Sequence, residues 1–265
     1  MKLSEKWTRA VRANGSILCA GLDPAEPEQG RSPSLPKGAS KVDWSIRFVE
    51  KIAPFCAAVK INRNYIKDLS RDETRRLVKK IHDHGMIAID DSKLADIGDT
   101  NDSGFYHAAA EGFDAVTYAP FPGNVAEAAK QAHAHGVGLI VLVVMSNPEF
   151  EAIKNAKFGS KKGYEYFSEQ VRSADADGVV LGAPSEKNRI REEELREVRS
   201  IVGDRLVLMP GIGAQGGEAG PLLRLFGDRV IANVGRAILY APKPEDEARK
   251  MQQLLDGLRS KADVK

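Results

Sequence analysis

Cysteine and aromatic residues are scarce in this sequence, and their scarcity excludes several kinds of protein. The two cysteines, Cys19 and Cys56, both lie within apolar runs. Two such residues cannot build a disulfide framework or a four-cysteine zinc site, so we expect two buried free thiols. Aromatic residues make up 6% of the chain and form no regular stripe, so no stacking surface for single-stranded nucleic acid is expected.

Neither sign of charge dominates, and no apolar run is long. Lysine and arginine together number 39, against 37 for aspartate and glutamate, so no overall field attracts nucleic acid or an anionic membrane. The longest apolar run, residues 137–145, is about half of what a membrane span needs. Residues 1–16 carry several charges and no apolar core, unlike a signal peptide. We therefore expect a cytoplasmic protein with no nucleic-acid or membrane partner.

Short β-branched runs alternate with amphipathic helical segments along the whole chain. The predicted strands are residues 17–22, 57–61, 86–91, 115–118, 138–144, 178–181, 206–209 and 230–234. The predicted helices are residues 72–84, 101–111, 125–135, 164–175, 190–201, 218–226 and 245–259. The strands are apolar at consecutive positions, as is typical of parallel strands that are covered on both sides. Eight such units in 265 residues predict α/β architecture, with residues 1–265 forming a single (β/α)8 TIM barrel domain.

Two segments interrupt this alternation. Residues 24–42 are rich in proline, glycine, serine and charge, and residues 147–163 carry several lysines. Both follow strands, so they are expected as long loops at the carboxyl face, where barrel active sites assemble. Most of their residues are interpreted as solvated insertions.

Residues 91–96, with the sequence Asp-Ser-Lys-Leu-Ala-Asp, end the third predicted strand. Residues two apart on a strand point to the same side, so Asp91 and Lys93 are expected to project together, with Asp96 just beyond. Lys60 ends the neighbouring strand and can join them. Buried charges persist only when paired, so the pattern predicts an array of alternating charge at the barrel mouth. A solvated cluster of salt bridges is the alternative.

Two glycine-containing segments follow the seventh and eighth strands, where barrels commonly bind phosphate. Residues 210–217 offer backbone N–H groups, and residues 234–237 place the guanidinium of Arg236 after the last strand. Residues 211–216 also match the dinucleotide pattern G-x-G-x-x-G. That pattern needs an acidic residue ending the next strand, and here the strand ends in Gly235 and Arg236. A phosphate site is therefore favoured over a dinucleotide site.

Two histidine pairs invite a metal hypothesis. His82 and His84, like His133 and His135, are two residues apart near the ends of predicted helices. That spacing does not place two rings on one helix face, so solvated helix-terminal histidines are expected and no metal site is predicted.

Residues 91–101 resemble the signature of orotidine 5′-monophosphate decarboxylases, most closely their archaeal-type branch. The resemblance continues in chain order through residues 21–23, 58–61, 145–148, 182–185, 210–217 and 234–237. It implies a barrel enzyme that converts orotidine 5′-monophosphate to UMP and CO₂ in pyrimidine biosynthesis, with neither metal nor cofactor.

The resemblance also implies a role for individual residues. Lys93 is the implied proton donor, and Asp91, Asp96 and Lys60 complete the charged array. The implied substrate contacts are Asp23 and Lys60 to the ribose, Ser146 and Gln215 to the pyrimidine, and Gly235 and Arg236 to the phosphate. The loop containing Pro210, Gly211 and Gly216 is the implied lid over the phosphate. Asp96, Ile97 and Thr100 are implied to enter the active site of a neighbouring subunit, which means a homodimer with shared sites.

The sequence is compatible with two alternatives. Related barrels with the same charged motif process sugar phosphates with Mg²⁺, and Gly98 is compatible with them. Thr100, Asn101 and Gln215 favour the pyrimidine nucleotide. A catalytically silent nucleotide-phosphate-binding barrel is a further alternative. The sequence departs from the family pattern in residues 24–42, in residues 62–64, where a glycine-containing turn is commoner, and in residues 147–163.

Overall fold

The eight apolar runs form a closed barrel of parallel strands, as predicted. A computed structural model describes residues 1–30, 35–212 and 217–262 of the chain. Each barrel strand pairs with the next, and the last pairs with the first. The strands are, in chain order, β1 (Leu18–Leu22), β2 (Ala58–Ile61), β3 (Ile87–Leu94), β4 (Ala115–Tyr118), β5 (Gly138–Val144), β6 (Lys157–Phe158), β7 (Lys161–Lys162), β8 (Gly178–Leu181), β9 (Leu206–Met209) and β10 (Val230–Val234). Strands β6 and β7 form a separate antiparallel hairpin.

Helices connect the strands and cover the outside of the barrel. The helices of the described residues are α1 (Leu3–Asn14), α2 (Lys41–Ile52), α3 (Arg71–Asp83), α4 (Gly98–Glu111), α5 (Val125–Ala134), α6 (Phe150–Asn155), α7 (Gly163–Ser173), α8 (Glu192–Val202), α9 (Gly220–Phe226), α10 (Arg236–Leu239) and α11 (Pro244–Ala262). All seven predicted helices are present, with ends shifted by a few residues. Helices α1, α2, α6 and α10 were not predicted. In the part of the chain that the structure describes, no helix is both long and apolar enough to cross a membrane.

Helix α3 shows why these segments become helical. The Ser70 side chain accepts a hydrogen bond from the backbone N–H of Glu73, and the Glu73 carboxylate accepts one from the N–H of Ser70. Such a cap contributes about 1 kcal/mol to stability. Leu77, Val78 and Ile81 recur at helical spacing and are buried, so the helix presents one apolar face to the barrel.

Helix α1 closes the amino-terminal end of the barrel. Leu3 lies so close to Gly138 that a Cβ on that glycine would stand 2.7 Å from a Leu3 methyl carbon. Trp7 is 1% exposed, and its indole N–H donates to the carbonyl of Asp228 at 2.7 Å. The ammonium of Lys6 pairs with Asp114 at 2.9 Å. Packing and an ion pair therefore hold α1 against the end of the barrel opposite the predicted active site.

Three of the four histidines keep part of their surface in solvent, as expected, and each also bonds to a carboxylate that was not predicted. His82 bonds to Asp114 at 2.8 Å and His133 to Asp177 at 2.8 Å, while His135 bonds to Asp102. The first two aspartates precede strands, and each also accepts a backbone N–H from the neighbouring strand. Helix ends and strand starts meet at this end of a barrel, so these histidines find carboxylate partners there. Among the described residues, no group of three or more histidine, cysteine, aspartate or glutamate side chains could hold a metal ion.

Residues 147–163 are more ordered than the predicted loop. They contain α6, the β6–β7 hairpin, and a buried ion pair between Lys154 and Glu194 at 2.9 Å. Lys154 also donates to the carbonyl of Arg189 at 2.9 Å. The lysines of this segment suggested a solvated insertion, but a lysine stem can pack against apolar surface while its ammonium reaches a partner. This ion pair holds the segment against α8.

Candidate active site

A cavity of about 230 Å³ opens at the carboxyl ends of the barrel strands. It is lined by Asp23, Lys60, Asn62, Asp91, Lys93, Leu142, Met145, Ser146, Val180, Leu208, Pro210, Gly211, Ile212, Asn233, Gly235, Arg236 and Ala237. Most of the site residues expected from the sequence are in this set. Gln215 and Gly216 lie outside the described residues, and Asp96, Ile97 and Thr100 do not line the cavity of their own chain. The structure therefore brings the charged motif and the Gly235–Arg236 segment to one cavity.

Three of the four expected charges form a connected array on β2 and β3. One carboxylate oxygen of Asp91 accepts from the Lys93 ammonium at 2.7 Å. The other oxygen pairs with the ammonium of Lys60. Asp91 and Lys60 are buried, whereas the side chain of Lys93 is 41% exposed to the cavity mouth. The carboxylate thus holds two cations, one beneath the site and one at its rim.

Asp91 and Lys60 stay ionised at neutral pH. Burial favours a protonated Asp91, but the adjacent Lys60 and Lys93 outweigh it and hold the pKa of Asp91 well below its usual range. Burial likewise favours a neutral Lys60, yet the charges of Asp91 and Asp23 raise the pKa of that amine. Each group is therefore charged because its partner is.

The backbone at Lys93 departs from regular strand geometry. Its φ is 49°, in the left-handed region that side chains other than glycine rarely adopt. The pairing of β3 with β4 also shifts register between Asp90 and Leu94. Asp91 and Lys93 do meet as expected, although strand alternation alone does not explain the contact. With this left-handed backbone at Lys93, its ammonium lies next to Asp91.

Asp96 stands apart from the other three charges of its own chain. Its carboxylate accepts the backbone N–H of Ile97 at 2.8 Å, just before α4 begins. The side chain of Asn124 donates to the Asp96 carbonyl at 3.1 Å and holds this loop against the loop after β4. Since β3 ends at Leu94, Asp96 lies in the loop between β3 and α4. A four-charge array within one chain is therefore not formed.

The opposite side of the cavity is built from the end of β10. Gly21 on β1 approaches Gly235 so closely that a Cβ on Gly21 would stand 2.9 Å from the Gly235 Cα. Only glycine at position 21 permits that approach. Arg236 is exposed and forms no ion pair with another described residue. Its guanidinium is available to an anionic group in the cavity.

Sequence reasoning missed a second ion network directly behind the first. Arg63 donates to Asp90 at 2.6 Å and to Glu111 at 2.5 Å. Burial raises the pKa of Asp90, and the Arg63 cation works against that rise. Two adjacent aspartates on a strand must face opposite sides. The Asp90–Asp91 pair was therefore the signal that a cation was also needed on the outer side.

Replacing Arg63 by methionine is expected to lower the free energy of unfolding by about 3 kcal/mol, because Asp90 and Glu111 are left buried without their cation. Urea unfolding measures the change. Arg196→Met is the matched control, since its exposed pair with Glu192 contributes less than about 1 kcal/mol. Equal losses in the two variants contradict the prediction.

Comparison with known proteins agrees with the geometry. The profile of the Orotidine 5'-phosphate decarboxylase / HUMPS family matches residues 16–251. An orotidine 5'-phosphate decarboxylase of Cupriavidus metallidurans is 32% identical over 264 residues, covering 94% of this chain and 93% of that protein. One from Polaromonas naphthalenivorans is 33% identical over 258 residues, covering 90% and 87%.

Solved structures share the fold. Leishmania donovani OMP decarboxylase superposes with a TM-score of 0.79 at 21% identity, covering 98% of this chain and 99% of that chain. Orotidine 5'-monophosphate decarboxylase from Methanocaldococcus jannaschii, complexed with the inhibitor BMP, gives a TM-score of 0.70 at 22% identity, covering 90% and 98%. With the family profile spanning most of the barrel, the chain belongs to the orotidine 5'-phosphate decarboxylase / HUMPS family.

Proposed function

We propose that this protein decarboxylates orotidine 5′-monophosphate to UMP and CO₂ without a metal or a cofactor. The observation that carries the proposal is the Lys93 ammonium, held 2.7 Å from Asp91 at the rim of a cavity that also contains Arg236. Relatives at 32% identity over nearly the whole chain carry this activity in their name. The same proposal includes a cytoplasmic location, a single domain over residues 1–265 and, from residues 91–101 alone, a place near the archaeal-type branch.

The chemistry requires a fixed cation. Loss of CO₂ from C6 of orotate leaves a carbanion that no ring position can delocalise well. At 4 Å and an effective dielectric of about 20, one ammonium–carbanion pair is worth about 4 kcal/mol. Lys93 supplies this charge and then transfers its proton to C6, which gives UMP. Since Asp91 already holds the ammonium in place, little reorganisation is needed when the charge develops.

The rest of the cavity suits a nucleotide. Asp23 and Lys60 are proposed to contact the ribose, and Gly235 and Arg236 the phosphate, at the other side of the cavity. Ser146 is proposed to hold the pyrimidine. The proposal further includes Gln215 at the pyrimidine, with Pro210, Gly211 and Gly216 in a lid over the phosphate. Leu142, Val180 and Leu208 supply apolar lining, which limits water beside the reacting ring.

The direct test is incubation with orotidine 5′-monophosphate while the ultraviolet absorbance of the substrate is followed. We expect loss of absorbance and formation of UMP, unchanged when EDTA is present. The sugar-phosphate alternative predicts the reverse, with no turnover of this nucleotide and Mg²⁺-dependent turnover of a sugar phosphate. A silent binding protein would bind UMP and turn over neither compound, which contradicts the proposal.

Replacing Arg236 by alanine is expected to weaken UMP binding about 10- to 100-fold, because a charge-assisted hydrogen bond to the phosphate is lost. Uridine, which has no phosphate, should bind both proteins equally. Calorimetry with the two ligands measures the difference. Arg196→Ala on α8 is the control, because Arg196 is exposed and pairs with Glu192 away from the cavity. Equal losses for uridine and UMP contradict the phosphate role.

We also propose a homodimer in which Asp96, Ile97 and Thr100 complete the partner's site. Ile97 is 63% exposed and Phe121 is 59% exposed, and their loops are joined through Asn124. Large apolar side chains exposed on two joined loops favour burial against another chain. Asp96 lies beside this surface, which explains its separation from the array of its own chain.

Mixing two inactive variants tests the shared site. Lys93→Ala and Asp96→Ala are each expected to lose activity alone. After the subunits exchange, a hybrid dimer contains one site with both wild-type residues, so about a quarter of the wild-type activity should return in a statistical mixture. Light scattering reports the oligomeric state. A monomer in solution, or exchanged hybrids without activity, contradicts the proposal.

A further inference from the structure

Thr117 lies beside Asp91, on the neighbouring strand β4, and is absent from the cavity lining. It is on β4, 1% exposed, and is the polar residue of an otherwise apolar strand run. Its hydroxyl oxygen is 2.9 Å from the backbone nitrogen of Lys93 and 3.0 Å from a carboxylate oxygen of Asp91. The same Asp91 oxygen receives the Lys93 ammonium. One hydroxyl therefore contacts both proposed catalytic residues without reaching the cavity.

The direction of both hydrogen bonds follows from the chemistry of the groups. A backbone N–H can only donate, so Thr117 accepts from Lys93. An ionised carboxylate can only accept, so the single hydroxyl proton of Thr117 points to Asp91. The hydroxyl therefore donates one hydrogen bond and accepts another, and neither bond can be reversed. Thr117 thus ties the backbone of Lys93 to the side chain of Asp91.

The bond to Lys93 stands where regular strand pairing fails. The register of β3 against β4 changes between Asp90 and Leu94. The backbone between these two residues therefore lacks its ordinary hydrogen-bond partner on β4. Lys93 itself has a φ of 49°, a sparsely populated conformation that persists only when its surroundings hold it. The Thr117 hydroxyl replaces the missing ladder partner. It is thereby one of the contacts that fix the direction in which the Lys93 side chain leaves the strand.

We propose that Thr117 is a positioning residue of the decarboxylation, acting through Asp91 and Lys93. This inference rests on the proposed function. The threonine holds the Lys93 ammonium where the carbanion forms, and it keeps one Asp91 oxygen oriented toward that ammonium. Because Thr117 does not touch the cavity, its loss changes the rate of the chemical step and leaves nucleotide binding intact.

Thr117→Val keeps the shape of the side chain and removes both hydrogen bonds. We expect kcat to fall about 10- to 100-fold, as for loss of a hydrogen bond to a charged group, with KM changed by less than about threefold. Thr117→Ser restores the hydroxyl and should return kcat to within about threefold of wild type. Exchange of the C6 proton of UMP with deuterated water, followed by NMR, should fall in parallel with kcat.

Thr74→Val is the matched control. Thr74 is also 1% exposed, and its hydroxyl donates to the carbonyl of Ser70 at 3.1 Å on the outer helix α3. It should lose stability as Thr117→Val does, and keep kcat. The proposal is overturned if kcat of Thr117→Val stays within twofold of wild type, or if Thr74→Val loses kcat equally. If the valine variant does not fold, a serine variant that folds yet loses as much C6 exchange as Lys93→Ala also overturns it.

The wild-type protein in the same assay distinguishes failure of the proposed function from failure of the proposed role of Thr117. Absence of wild-type turnover contradicts the proposed function and the role of Thr117 with it. Wild-type turnover together with an undiminished Thr117→Val variant contradicts the role of Thr117 alone.

Discussion

Lys93→Ala is expected to lower kcat by about a thousandfold or more, because about 4 kcal/mol of charge stabilisation is removed together with the proton donor. Binding of UMP should remain measurable, since Asp23, Gly235 and Arg236 are untouched. The half-exposed Lys93 side chain has no role in the core, so the fold should persist. Steady-state turnover and calorimetry with UMP measure the two effects separately.

Lys79→Ala is the control for this prediction. Lys79 is exposed on α3 and pairs with Asp83 at 2.7 Å, so its removal should leave turnover unchanged. If Lys93→Ala retains turnover within tenfold of wild type, another group supplies the proton and the assigned role is wrong. If the variant instead loses UMP binding as completely as turnover, Lys93 is a binding residue.

Asp91→Asn is expected to damage both activity and stability. The amide has the shape of the carboxylate, but it carries no charge, and one of its two ends can only donate. That end must face either Lys60 or Lys93, which are themselves donors. Lys60 is left as a buried cation without its carboxylate, so the free energy of unfolding should fall by about 3–5 kcal/mol at pH 7.

The pH dependence of this loss identifies its origin. The pKa of Asp91 is depressed in the folded protein, so the carboxylate stabilises the fold above its unfolded pKa of about 3.9. That contribution is lost as the pH falls toward the folded pKa. Wild type should therefore exceed Asp91→Asn by about 1 kcal/mol less at pH 3 than at pH 7. Urea unfolding at both pH values measures this, and a difference that does not shrink in acid contradicts the charge explanation.

The barrel was predictable because its strands are apolar at consecutive positions. Each predicted strand is present, and the largest difference is β3, which continues to Leu94 beyond the predicted end at residue 91. Helix α1 was missed although Leu3, Trp7, Ala10 and Val11 recur at helical spacing and are buried. The charged residues between them conceal this spacing. Helix α6 was missed because its short length gives periodicity little chance to show.

The site was predictable as far as it depends on strand ends. Lys60, Asp91 and Lys93 meet because the carboxyl ends of parallel strands lie at one rim. The register shift after Asp90 could not be predicted, since it depends on how β3 lies against β4. The hydrogen bond from the Lys93 backbone to Thr117 lies within the shifted stretch. Arg63 was noted as a departure from the family pattern, but its buried partners are distant in sequence.

Ion pairs on both faces join the ends of β2 and β3. Lys60 crosses to Asp91 on the inner face, and Arg63, in the turn after β2, crosses to Asp90 on the outer face. Sliding one strand past the other breaks both pairs together. It leaves two buried carboxylates without a cation, at a cost of several kcal/mol. This side of the mouth is a rigid wall. We therefore expect any narrowing of the mouth around a nucleotide to come from the facing rim, with the Lys60 ammonium staying on Asp91.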